Sequence, residues 1–123
     1  MPKPTRRRAD APREILVTGG AGFIGSTLTL ALQQRWPSAR ITVVDDFRSG
    51  NFKNLSGFRG DVAASDAAAY RSDQAFDLVF HLASITDTTV HDQRLMVHDN
   101  VEGFRNILSL AKGSGAKIGR AHV

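Results

Sequence analysis

The chain has 123 residues, a formal net charge of +4 and no cysteine. That length suits one domain with a real core, not two, and the missing cysteines exclude disulfides, thiolate metal sites and cysteine nucleophiles. Apolar and charged fractions of 41% and 23% are those of an ordinary globular chain, and no run approaches the roughly 18 apolar residues of a membrane span.

The charge is uneven. Lys3, Arg6, Arg7, Arg8 and Arg13 precede Glu14, against Asp10 alone, and the remainder carries eleven charges of each sign. Residues 1–13 therefore read as a basic, solvated, disordered leader rather than a nucleic-acid arm, since no aromatic residue is interleaved for stacking. No apolar stretch follows the arginines, so the leader is not a signal peptide. A cytoplasmic protein is expected, with no membrane partner and no nucleic acid.

Glu14 to Thr18 predicts a first strand, its Ile15-Leu16-Val17 run suited to burial on both faces. Gly19, Gly20, Gly22 and Gly25 follow at once, and a helix begins among them and runs to about Arg35, with Leu28, Leu30, Ala31, Leu32 and Trp36 on its apolar side and Pro37 at its end. A second strand spans Arg40 to Asp45, then a polar loop Phe47 to Gly57. Residues 58–62 suggest a short strand leading to Gly60-Asp61-Val62, and Ala63 to Arg71 is alanine-rich and helix-prone. Phe76 to Leu82 is the next clear strand. A long helix covers Arg94 to Ser114 and stops at Gly113 and Gly115. Strands alternating with helices imply right-handed crossovers and an α/β doubly wound parallel sheet.

The glycine turn carries the chemistry. Gly20-x-Gly22-x-x-Gly25, and equally Gly19-x-x-Gly22-x-x-Gly25, lets backbone N–H groups approach a pyrophosphate at the positive end of a helix. About twenty residues on, at the end of the second strand, Asp45 can accept from the adenosine ribose hydroxyls and would repel a 2′-phosphate. That combination points to NAD, with NADP as the alternative. No Lys-Ser/Thr pair follows the glycines, which argues against a nucleoside triphosphatase.

Five segments in order resemble the extended short-chain dehydrogenase/reductases, the NAD-dependent epimerase/dehydratase family. They are Thr18-Gly-Gly-Ala-Gly-Phe-Ile-Gly25, Asp45-Asp-Phe-Arg-Ser-Gly50 with Asn54-Leu55, Gly60-Asp61-Val62, His81-Leu-Ala-Ser84, and Asn100-Val-x-Gly103-x-x-Asn106-x-Leu108. The resemblance implies a Rossmann-type fold, here the first part of one, breaking off after about the fourth strand–helix unit. It implies that Phe23 and Ile24 offer backbone contacts to the pyrophosphate. Asp45 and Asp46 would hold the ribose, and Asp61 and Val62 would flank the adenine. Leu82, Ala83 and Ser84 would lie along the cofactor, and Asn100 would steady its edge. It further implies a nucleotide-sugar substrate and a homo-oligomeric parent enzyme. A finer similarity, to ADP-glycero-manno-heptose 6-epimerases, lies in Ala83-Ser84, Thr88-Thr89, Met96 and Asp99-Asn100, whereas the second-strand loop looks like that of nucleotide-sugar epimerases in general.

The family's chemistry uses a Tyr-x-x-x-Lys pair, and Tyr70, the one tyrosine, is followed four positions on by Gln74. No catalytic residue is expected in this chain, and a dinucleotide-binding module without catalysis is the alternative function. His81 ends a buried strand and reads as a packed neutral ring rather than an acid–base group; His91 and His98 lack metal-ligand spacing. Residues 14–117 make up the cofactor-binding part. Ile118-Gly-Arg-Ala-His-Val123 resembles the translation of a common sequencing adapter, so residues 118–123 are expected to be a non-native tail.

Overall fold

The structure, a computed structural model, describes residues 11–83, 93–115 and 117–120. It contains a five-stranded parallel sheet in the order β3-β2-β1-β4-β5. The strands are β1 (Glu14–Thr18), β2 (Arg40–Asp45), β3 (Asp61–Ala64), β4 (Leu78–His81) and β5 (Lys117–Arg120), with helices α1 (Phe23–Arg35) and α2 (Gln93–Ser114) and a 3-10 turn at Phe52–Leu55.

β1 lies at the centre because both its faces are apolar. Ile15 and Val17 join Ile41 and Leu32 under α1, whereas Leu16 joins Val44, Val79, Ile107 and Ala111 under α2. Successive strand residues point to opposite faces, so one uninterrupted apolar run serves two layers. At the other end of the sheet Asp77 accepts hydrogen bonds from the Arg13 and Glu14 N–H groups (2.8 and 3.0 Å), which ties the start of β1 to that of β4.

α1 departs from the expected apolar stripe. Its buried residues are Gly25, Ser26, Thr29 and Leu32, while Ala31 is exposed. The hydroxyls of Ser26 and Thr29 return to the helix's own Phe23 and Gly25 carbonyls. Small residues let the helix start close above the sheet, where the glycine turn needs it, and larger apolar side chains enter only a turn later.

Two further expectations change. The strand read at 58–62 is displaced to Asp61–Ala64, and the alanine-rich segment after it is a turn, not a helix. Ala63 and Ala64 pair with Val44 and Asp45, and the Asp66 carboxylate accepts from the Ala69 N–H at 2.7 Å to close the turn. A parallel neighbour with free backbone groups outweighs the small intrinsic preference of alanine for helix. Beyond α2, Gly115 takes a positive φ of 69° and ends the helix. Lys117–Arg120 then pairs with β4, Leu78 to Lys117 through His81 to Arg120. Its last three residues fall in the segment expected to be non-native. Strand pairing uses backbone groups, which any non-proline residue supplies.

Candidate cofactor-binding site

The C-terminal ends of β1, β2 and β4 meet at one rim, where strand order reverses on either side of β1. Such a switch point leaves a crevice for a ligand in an open α/β sheet.

Gly19 leaves β1 with a φ of 71°, and a Cβ on it would stand 2.8 Å from the Ala83 nitrogen. The turn therefore needs glycine here twice over, for its conformation and for its approach to β4. A Cβ on Gly25 would press into the Gly19 carbonyl, which fixes how closely α1 sits on the turn. Gly22 is different. It has an ordinary φ of −74°, caps α1 without any side-chain hydrogen bond, and a Cβ on it would meet nothing nearer than the Gly19 oxygen at 3.5 Å. The fold itself does not require glycine at that position. What Gly22 keeps clear is the space in front of the first turn of α1, where the side chains of Phe23 and Ile24 turn outward, 84% and 56% exposed. Clear space before helix-start N–H groups suits a pyrophosphate.

Thr18 builds the adjoining wall. Its hydroxyl oxygen accepts from the Leu82 and Ala83 N–H groups, each at 3.1 Å, and lies 2.7 Å from His81 Nδ1. Which of Oγ1 and Nδ1 donates in this contact follows the tautomer of the ring. His81 is 7% exposed and packs 5.7 Å from the Phe104 ring. It is a buried part of the wall.

Asp45 is also buried, at 7% exposure. One carboxylate oxygen accepts from the Ala21 N–H (2.9 Å) and the other from the Phe47 N–H (2.8 Å). The second of these donors comes from a residue at φ 59°, and the Phe47 ring stacks on Phe52 at 4.1 Å. The Ala21 carbonyl in turn accepts from the Asn51 N–H (3.0 Å) and the Asn54 side-chain amide (2.9 Å). The second-strand loop is thus bound to the glycine turn through both polar groups of one residue. Sequence spacing gives the position of Asp45 but not this clasp.

Of the expected site residues, Gly19, Gly22, Phe23, Ile24, Gly25, Asp45, Asp46, Leu82 and Ala83 come to the rim. Asn100 is half-buried on α2, one turn before Phe104. Ser84, like Thr88, Thr89 and His91, lies outside the described residues. Asp61 and Val62 are not brought to the rim. Asp61 pairs in register with Thr42, three residues short of Asp45, and its carboxylate holds Arg40 Nε at 2.8 Å. That hydrogen bond, and then the charge of Asp61, raises the Arg40 guanidinium above its ordinary value. Gly60 has its own structural reason: a Cβ there would drive into the Ile41 carbonyl and the Phe58 ring. On β3 the rim falls instead at Ala64, Ser65 and Asp66, where the Ser65 N–H donates to the Asp45 carbonyl at 3.0 Å. The pairing register, invisible in the sequence, sets Ala64 rather than Asp61 level with Asp45.

The last motif resolves into packing as well. A Cβ on Gly103 would meet Ala67 at 3.2 Å, and the Asn106 amide donates to the Ala67 and Tyr70 carbonyls at 2.7 and 2.9 Å. Tyr70 is 8% exposed in the core against Phe76, away from the rim. Among the described residues no three of His, Asp and Glu converge as a metal site, and no helix is long and apolar enough to cross a membrane.

Comparisons with known proteins agree with the fold. The model of the NAD dependent epimerase/dehydratase family matches residues 15–122. A UDP-N-acetyl-alpha-D-glucosaminuronate decarboxylase of Bacillus cytotoxicus is 32% identical over 114 residues, 86% of this chain and 35% of that protein. The crystal structure of ADP-L-glycero-D-manno-heptose-6-epimerase from Helicobacter pylori superposes with a TM-score of 0.79 at 38% identity, covering 90% of this chain and 39% of that one. The Thermus thermophilus UDP-glucose 4-epimerase, solved in complex with NAD, superposes with a TM-score of 0.67 at 29% identity over 84% of this chain and 35% of that one. The chain spans about a third of the length of the Bacillus and Thermus relatives. With its parallel sheet, glycine turn and rim residues in place, the chain belongs to the NAD-dependent epimerase/dehydratase family.

Proposed function

We propose that this chain forms the NAD(P)-binding part of an enzyme that epimerises or dehydrates a nucleotide-linked sugar. The observation that carries the cofactor site is Gly22, a glycine the fold does not need, standing before the open first turn of α1. The chemistry supplied by the bound nicotinamide is reversible hydride transfer to and from a sugar carbon. Phe23 and Ile24 would hold the pyrophosphate through their N–H groups. Asp45 and Asp46 would face the ribose, Ser65 and Asp66 the adenine edge, and Leu82 and Ala83 the nicotinamide side. Proton transfer in the family rests on Tyr-x-x-x-Lys, a pair that residues 1–123 do not contain. This chain's own part in the reaction is accordingly to bind and orient. A cytoplasmic homo-oligomer acting on a nucleotide sugar, heptose-linked or hexose-linked, completes the proposal.

The test is a fluorescence titration with NADH on the wild-type chain and on Gly22→Val. Wild-type binding that weakens at least about tenfold in the variant, with an unchanged circular dichroism spectrum, is the expected result. Equal affinity in both, or no binding by either, would overturn the site.

A further inference from the structure

The end of the sheet away from the rim carries a separate hollow. It lies where α1 ends and β2 and β3 begin, and it has a volume of about 470 Å³, within the range that holds a small molecule. Pro37, Ala39, Ile41 and Phe58 supply its apolar lining, and Arg40 and Arg59 its cations. Two features build its shape. The Gln33 side-chain amide donates to the Gly57 carbonyl at 3.0 Å, and its oxygen accepts from the Arg59 N–H at 2.8 Å, so one side chain of α1 grips the segment that carries Phe58 at both ends. Gly60 leaves room for the Phe58 ring beside the Ile41 carbonyl, where any Cβ would intrude. A wall held in this way needs little ordering on binding. The charge is uneven as well. Asp61 also lines the hollow, but Arg40 Nε already holds its carboxylate at 2.8 Å. Arg59 is exposed, and among the described residues its guanidinium has no carboxylate or carbonyl partner.

We propose that this hollow is a second ligand site, for a small aromatic molecule bearing an oxyanion, with Arg59 on the anion and Phe58 and Ile41 against the ring. The guanidinium offers a planar pair of donors to two oxygens at once. In water that pairing alone is weak, and the carbonyl end of α1 disfavours a bare anion nearby. The apolar lining must therefore supply much of the affinity, which selects an anion with an aromatic body over a free one. Arg40 and Asp45 are the two ends of β2, roughly 16 Å apart at the usual rise of a strand. The site is thus remote from the rim, and the proposal does not rest on the cofactor reading.

The experiment is an amide NMR titration of the chain with phenyl phosphate, benzoate, inorganic phosphate and phenol, on wild type, Arg59→Ala and Arg105→Ala. Phenyl phosphate or benzoate is expected to shift the Arg59 and Gly60 N–H groups and the Gln33 side-chain amide, saturating with a dissociation constant of about 1 mM or below. The better of the two identifies the anion as a phosphate ester or a carboxylate. Inorganic phosphate, which lacks the ring, and phenol, which lacks the charge, bind at least about tenfold more weakly. Arg59→Ala weakens the aromatic anion by about fivefold or more and leaves the spectrum otherwise folded, since only the Arg59 backbone N–H serves the fold. Arg105→Ala, which removes an exposed arginine of α2, binds as wild type does. Absence of saturable shifts at these groups overturns the site, as does inorganic phosphate binding as tightly as phenyl phosphate. Equal losses in Arg59→Ala and Arg105→Ala would reduce the effect to general surface charge and overturn it too.

Discussion

Thr18 and His81, 63 residues apart in the chain, share a 2.7 Å hydrogen bond between Oγ1 and Nδ1 in the buried wall of the site. The same hydroxyl receives the Leu82 and Ala83 N–H groups, so one oxygen holds the end of β4 against the start of the glycine turn. Thr18→Val keeps the shape and deletes the hydroxyl, stranding Nδ1 and the Ala83 N–H. Chemical denaturation should show a loss of about 2–4 kcal/mol. Thr18→Ser, which keeps the hydroxyl, should lose only about 1 kcal/mol. Equal losses for the two variants would mean that the methyl, not the hydrogen-bond hub, matters.

Asp45 should prove structural before it proves cofactor-binding. Asparagine in its place offers one oxygen where two N–H groups converge from Ala21 and Phe47, and turns an amide donor toward the other. Asp45→Asn is expected to destabilise the chain, without any ligand present, by about 2 kcal/mol. An unchanged urea midpoint would assign the carboxylate to the ligand alone.

Asp61 and Asp66 separate the sequence expectation from the geometry. Asp61→Asn removes an exposed pairing with Arg40 and should leave NADH affinity and the melting temperature close to wild type. Asp66→Asn keeps an oxygen for the Ala69 N–H yet should weaken NADH several-fold. The reverse ranking of the two variants would return the adenine edge to Asp61.

Gly25 and Gly22 differ in what they serve. Gly25→Ala pushes a methyl into the Gly19 carbonyl and should cost about 3 kcal/mol. Gly22→Ala should cost about 1 kcal/mol or less, its effect falling on binding instead. Calorimetric melting of both variants beside wild type distinguishes them, and a milder loss at Gly25 than at Gly22 would sink the packing account.

Asn106 braces the turn below the rim with two donated hydrogen bonds. Asn106→Asp would set a carboxylate against the Ala67 and Tyr70 carbonyls and should be less stable than Asn106→Ala, by about 1 kcal/mol. The opposite order would remove this brace from the account of the motif.

Much of this architecture is legible in the residues. The bounds of β1 and β2 follow from their apolar runs, and Asp45 follows from its distance to the glycines. What the sequence hides is register. Gly60-Asp61-Val62 reads as the piece that reaches the ligand, yet Gly60 is glycine because Ile41 and Phe58 crowd it, and β3 runs three residues further before it arrives at the rim. The face of α1 is hidden too, because its packing rests on Gly25, Ser26 and Thr29, residues that carry little hydrophobic signal. Where backbone proximity rather than side-chain character decides, composition and periodicity have nothing to report.

Ala21 presents no functional group, yet its N–H is held by the Asp45 carboxylate at the end of β2 and its carbonyl by the loop that follows. The glycine turn and the loop after β2 are therefore one mechanical part. Exchanging cofactor preference with a relative by swapping lone side chains would break that part at its seam, whereas transplanting residues 45–54 together with the turn at 19–22 would carry the clasp across intact. In this fold the smallest segment that can be inherited, or engineered, as one unit of the proposed cofactor site is discontinuous in the gene.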